Sequence, residues 1–141
     1  MNLVKQNDNL SFRYSTLPSL ILYEEPYKSK LSDKAKLLYI IILDSLKLSI
    51  KNNYTNEKNE VYIYLSRQEV QKILNCSDKT VTKAFNELIS LDLIYEERTA
   101  IGKNIKIYVN KKDDIFTTYG KFTIINRKKY ECTVGNFTNK K

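Results

Sequence analysis

The chain has 141 residues and a mass of 16.6 kDa, enough for one domain of ordinary size and a tail but not for two separate cores. Its 24 Lys and Arg against 16 Asp and Glu give a formal net charge of +8, which favours polyanions such as nucleic acid, or an acidic membrane surface, as partners. No histidine occurs anywhere, which removes the commonest general base, the Ser-His and Cys-His pairs and the imidazole ligands of most catalytic zinc sites. Catalysis would rest on carboxylates, Lys or Tyr alone, so the chain is expected to be no enzyme and to hold no metal or other cofactor.

Cys76 and Cys132 lie far apart without a C-x-x-C spacing and read as free thiols; a disulfide between them would depend on their distance in the fold. The first residues, MNLVKQNDNLSF, lack the apolar stretch and cleavage site of a secretory signal. The most apolar run, residues 37–43, is far shorter than the roughly 20 residues of a membrane span. A soluble, cytoplasmic protein with no membrane association is expected.

Residues 1–9 are polar and read as an arm. Phe12, Tyr14, Leu17, Leu20, Leu22 and Tyr23 then form an apolar segment interrupted by Pro18 and Pro26, which predicts short extended or turn-like pieces acting as a strap on the domain. At Leu31-Ser32-Asp33 a helix begins. Ser32 is a good N-cap, Asp33 complements the positive helix end, and residues 35–50 contain neither Gly nor Pro. Leu37, Leu38, Ile41, Leu43, Leu46 and Leu48 leave it few polar faces, which predicts a central helix buried on most sides.

A polar turn with Asn52, Asn53, Asn56 and Asn59 leads into VYIYL at 61–65, a β-branched and aromatic run that reads as a short strand. SRQEVQKIL follows, with Ser66 and Glu69 spaced as a capping box and Val70, Ile73 and Leu74 at helical intervals. After Asn75-Cys76, Ser77 caps a third helix, SDKTVTKAFNELISLD, whose Val81, Ala84, Phe85, Leu88, Ile89 and Leu91 form one apolar stripe. Two capped helices separated by so short a break have helix-turn-helix spacing. Strand-like runs at 93–99 and 105–109, joined by a turn with Gly102 and Asn104, add a wing.

The expected fold is therefore α+β: a winged helix-turn-helix domain over residues 31–110, preceded by a strap at 1–30 and followed by a basic tail at 111–141. In the tail GKFT recurs as GNFT, a weak repeat in a Lys/Asn/Thr-rich stretch, and residues 122–125 and 130–134 are also spaced to pair as a β-hairpin. The tail holds eight basic and three acidic residues, so it carries +5 of the net charge and residues 1–110 only +3. Most of the charge can add salt-sensitive attraction but no base readout.

In a helix-turn-helix domain the second helix enters the major groove and its N-terminal side chains meet base edges. The face of helix 77–91 opposite its apolar stripe carries Ser77, Lys79, Thr80, Thr82, Lys83 and Asn86, all hydrogen-bond donors. Lys79 and Lys83 suit guanine O6/N7 or phosphate, Asn86 suits adenine N6/N7, and Thr80 or Thr82 suits phosphate or a thymine methyl. The helix start at Ser77 favours a phosphate. Arg98, Lys103 and Lys106 on the wing are candidates for phosphates or the adjacent minor groove. Against this, any amphipathic helix turns a polar face to water. The capped pair and the basic wing together tip the balance to double-stranded DNA, with protein binding as the other use of such a domain.

Weaker candidates are Tyr23, Tyr27, Tyr39, Tyr62 and Tyr64, which read as core or rim rather than a stacking platform, and Glu96-Glu97, whose carboxylates point to opposite strand faces and form no dyad. Cys76, beside a helix start, is either a small packed residue or a thiol of lowered pKa.

The strings KLSDKAKLLYIIILDSLKLSIKNN, EVYIYLSRQEVQKILNCSDKTVTKAFNELISLDLIYEER and GKNIKIYV resemble the N-terminal domain of the RepA_N family of plasmid replication initiators, over about residues 14–109. Leu31-Ser32, the run 35–39, Asn75-Cys76-Ser77 and Gly102-Lys103 before Ile107-Tyr108-Val109 are its most distinctive pieces. The sequence departs from the family pattern at Ser45, where Arg is usual, and in lacking Pro after Gly102-Lys103. The resemblance implies a homodimeric initiator that binds repeated origin sites, iterons, and recruits host replication proteins through a separate C-terminal domain. That domain has no room after Val109, so a fragment ending in the interdomain linker, or a short relative, is expected. A transcriptional repressor would use the same winged helix on an operator.

Overall fold

The computed structural model describes residues 1–98, 105–112 and 114–116. The expected wing turn with Lys103, the tail repeat and hairpin, and Cys132 lie outside these residues. Three helices come first, α1 (Ser19–Tyr23), α2 (Tyr27–Lys30) and α3 (Asp33–Lys51). They are followed by β1 (Ile63–Tyr64), α4 (Arg67–Leu74), α5 (Asp78–Ser90), β2 (Ile94–Glu97) and β3 (Lys106–Val109). The strands form one antiparallel sheet in the order β1-β3-β2, with Ile63 opposite Ile107, Tyr95 opposite Tyr108 and Glu97 opposite Lys106.

Local chemistry sets the helix ends. Ser32, Ser66 and Ser77 each turn their hydroxyl oxygen to accept the backbone N–H three residues on, at 3.2, 3.1 and 3.2 Å, satisfying a donor that the first helical turn leaves without a partner. At the other ends Asn53, Asn75 and Asp92 take left-handed backbone angles, φ 59°, 50° and 57°. Asn and Asp tolerate this region better than other non-glycine residues, and it lets the chain turn sharply off each helix.

The core is built where these elements meet. Ile21, Leu38, Tyr39, Ile42, Ile63, Val70, Val81, Phe85, Leu88, Leu93 and Ile107 are fully buried, and α3 packs along α5. Alternation along the strands sends Ile63, Ile94 and Ile107 inward and leaves Tyr64 and Tyr95 exposed. Beyond β3 the chain returns to the first helices. Ile115 joins the core, the Lys112 ammonium donates to the Leu91 carbonyl at 2.9 Å and to the Tyr27 hydroxyl at 3.3 Å, and that hydroxyl donates to Asp114 at 3.4 Å.

Four expectations are corrected. The segment around the two prolines is not extended: Pro18 and Pro26 stand at the N-caps of α1 and α2, where a missing N–H costs nothing, and Leu20, Ile21 and Tyr27 enter the core. Helix α3 is not buried on most sides, because its partners cover one side only; Leu37, Leu48 and Ile50 are 43, 59 and 55 % exposed. Ile73 likewise faces solvent, since Val70 and Leu74 already occupy the inward side of α4. The strand expected at 61–65 shrinks to two residues because Val61 pairs back to Thr55 across a turn held by Asn56, whose side-chain oxygen accepts from Lys58 and Glu60 N–H at 2.9 Å each.

Candidate nucleic-acid interface

The α4–α5 unit starts from two capping serines and a left-handed Asn75, so its geometry follows from short-range chemistry. Buried Val81, Ala84, Phe85 and Leu88 then fix which side of α5 faces out. Lys79, Thr82, Lys83 and Asn86 are all exposed. Their spacing of three, four and seven residues places them on one stripe about 10 Å long. They line a single shallow depression together with Asp78, Glu87 and Ser90. Lysine ammonium groups, a hydroxyl and a carboxamide so arranged can meet phosphate oxygens and base edges together.

Ser77 and Thr80 belong to the start of the helix rather than to this stripe. Their hydroxyls lie 2.9 Å apart and share a hydrogen bond, while Ser77 also caps Thr80 N–H. Asp78, in the same turn, already supplies negative charge to the positive helix end.

Just past the end of β2, Arg98 is 71 % exposed, with its guanidinium 3.9 Å from Glu96 Oε2. Lys106 is not brought to the α5 stripe. It alternates with inward-facing Ile107, and its ammonium rests 4.5 Å from the centre of the Tyr62 ring. That ring belongs to a cluster of Tyr54, Tyr62, Tyr64, Tyr95 and Tyr108 with neighbouring centroids 5.3–6.3 Å apart. Partial burial, followed by the Glu97 carboxylate beside it, raises the Tyr108 pKa. Tyr27 and Tyr39 are buried as expected; Tyr54, Tyr95 and Tyr108 carry no signal in the sequence, because a patch assembled from three separate segments has no local signature.

Three further residues escape sequence reading. The Glu87 carboxylate accepts from the backbone N–H and the hydroxyl of Ser32, at 3.1 and 2.7 Å, tying α5 to the start of α3. Lys34 donates to the Leu74 carbonyl at 3.2 Å, closing the end of α4 onto α3. Arg67 pairs with Glu96 at 2.8 Å and lies over the Phe85 ring at 3.6 Å. Among the described residues no cluster of acidic or cysteine side chains is arranged to hold a metal, and no helix is long and apolar enough to cross a membrane.

A three-stranded antiparallel sheet, with β2 and β3 paired, packed with α3, α4 and α5 defines a winged-helix-like domain. Residues 13–121 match the family described as the replication initiator protein A (RepA) N-terminus, and the chain belongs to that family. Similar solved structures include an "N-Terminal domain of DNA binding protein" (26 % identity, TM-score 0.64, covering 89 % of this chain and 98 % of that one). A "Structure of Rep-DNA complex" (28 %, 0.63, 84 % and 88 %) and a "Structure of MDR initiator" (32 %, 0.61, 83 % and 89 %) are similar over nearly the same extent. No curated protein matches the chain significantly.

Proposed function

We propose that this chain is the DNA-recognition module of a plasmid replication initiator and binds double-stranded origin DNA sequence-specifically. The observation that carries the reading is the exposed stripe Lys79, Thr82, Lys83 and Asn86 on the second of two capped helices, in a fold whose relatives include a Rep protein solved with DNA. Helix α5 enters the major groove, and the wing at residues 98–106 lies alongside, with Arg98 as its exposed cation at the β2 end. Lys106, occupied over Tyr62, contributes less. The module binds rather than catalyses, needs no cofactor and acts in the cytoplasm. It recognises repeated iteron sites as a homodimer, and host replication proteins are engaged by a further domain of the initiator.

Footprinting across the replicon that encodes the chain tests this reading. Tandem protected repeats in the origin are expected; one inverted repeat at a promoter would identify a repressor instead, and no sequence-specific protection would overturn DNA recognition altogether. Lys79→Ala and Lys83→Ala should each weaken binding and lower the slope of log K against log salt by about 0.9 for every phosphate no longer neutralised. Unchanged affinity and slope in both variants would remove this face from the interface.

A further inference from the structure

The recognition helix and the wing read different parts of a duplex, so selectivity depends on how rigidly one is held to the other. In this protein one side chain sits where the two join. Arg67, the first residue of α4, directs its guanidinium to Glu96 Oε1 at 2.8 Å and holds its guanidinium carbon over the Phe85 ring, 3.6 Å from the ring centre. Phe85 is fully buried in the middle of α5, between Thr82 and Lys83 on one side and Asn86 on the other. Glu96 lies on β2, two residues before Arg98, and its side chain is only 9 % exposed. Three elements, α4, α5 and the strand that starts the wing, therefore meet on one guanidinium.

Only arginine fits this position. Its planar fork bonds a carboxylate while its face covers an aromatic ring, whereas a lysine ammonium offers neither plane nor fork. Glu96 also keeps its other oxygen 3.9 Å from the exposed Arg98 guanidinium, too far for a hydrogen bond, so its short bond is the one to Arg67.

We propose that Arg67 and Glu96 are positioning residues that set α5 relative to the wing and so determine the sequence selectivity of duplex binding without touching DNA. The inference rests on the DNA-binding reading above. Non-specific binding needs only positive charge near the phosphates, whereas specific binding needs base contacts and backbone contacts to be satisfied together. Loosening the clamp therefore lowers specific affinity and leaves non-specific affinity in place.

The test compares binding to the duplex selected by the chain from a random-sequence pool with binding to a scrambled duplex of equal length. The variants are Glu96→Gln and Arg67→Lys. Active protein is counted by stoichiometric titration, and fold is checked by thermal unfolding. Coupling between contacting groups corresponds to changes of about twofold to a hundredfold, and we expect the selected-over-scrambled ratio to fall about tenfold in each variant. Binding to scrambled DNA should stay within about twofold, since the phosphate contacts remain. Glu96→Gln is the sharper arm: it removes a negative charge, so simple electrostatics predicts tighter binding to both duplexes, whereas positioning predicts lost selectivity. In the DNA-free protein both variants should shift the same backbone amide signals in residues 79–86.

An unchanged ratio in both variants overturns the proposal while leaving DNA recognition intact. Equal weakening on both duplexes also overturns it, assigning Arg67 to a phosphate contact. A wild-type chain that selects no sequence from the pool overturns the functional reading and this proposal with it.

Discussion

Glu87 is an acidic residue on the helix proposed to approach DNA, and its contacts explain why it is there. Its carboxylate accepts two hydrogen bonds from Ser32, at 3.1 Å from the backbone N–H and 2.7 Å from the hydroxyl, joining α5 to the N-cap of the helix it packs against. Glu87→Ala removes both acceptors. Hydrogen bonds to a charged group contribute about 1.5–3 kcal/mol each when buried. Both groups here are only partly buried and share one carboxylate, so the low end applies, about 2–3 kcal/mol for the pair. For a domain of this size that corresponds to a fall in Tm of about 8–20 °C. Thermal unfolding followed by circular dichroism, with urea titrations to confirm an unchanged m-value, measures it. Lys83→Ala, an exposed change on the same helix, serves as the control and should stay within about 0.5 kcal/mol of the parent. A Glu87→Ala protein melting within about 2 °C of the parent would refute the reasoning, because it would mean that Ser32 finds equivalent partners in water.

Three other outcomes follow from single features. Asn75 holds φ 50° at the end of α4, so Asn75→Ala should cost about 1 kcal/mol in denaturant titrations, whereas Asn75→Gly should be nearly neutral. The Tyr39 hydroxyl is buried with no hydrogen-bond partner among the described residues, and burial, then Tyr27 and Asp114, push its pKa up, so it stays neutral at all ordinary pH. Tyr39→Phe should therefore match the parent or exceed it by up to about 1 kcal/mol in the same titrations, since it removes a buried polar atom without a partner. With no histidine in the chain, duplex affinity at fixed salt should vary less than about threefold between pH 6 and pH 8; a steeper profile in fluorescence anisotropy would contradict this.

The parts of the fold legible in the sequence are those decided within a few residues. Serine caps, the Asn75 exit and the period of Val81, Ala84, Phe85 and Leu88 fix α4 and α5, and with them the exposed stripe. Strand alternation gives β2 and β3 to within a residue or two. Proline does interrupt regular structure at 18 and 26, but the same missing N–H also suits a helix start, and that second consequence is the one the fold uses. The abundance of leucine and isoleucine in α3 gives no account of which turns are covered, since that depends on α5 and β1 arriving from later in the chain. The clamps escape for the same reason: Arg67 and Glu96 are 29 residues apart and Ser32 and Glu87 are 55 apart, and no short-range pattern pairs them.

The bond from Lys112 to the Leu91 carbonyl fastens the outgoing chain to the foot of α5. Across the 13 residues of that helix, the foot lies about 20 Å from the end where the polar stripe begins. The anchor of the outgoing chain and the first residues of the stripe thus hold opposite ends of one helix, so a pull on Lys112 would be transmitted along α5 itself.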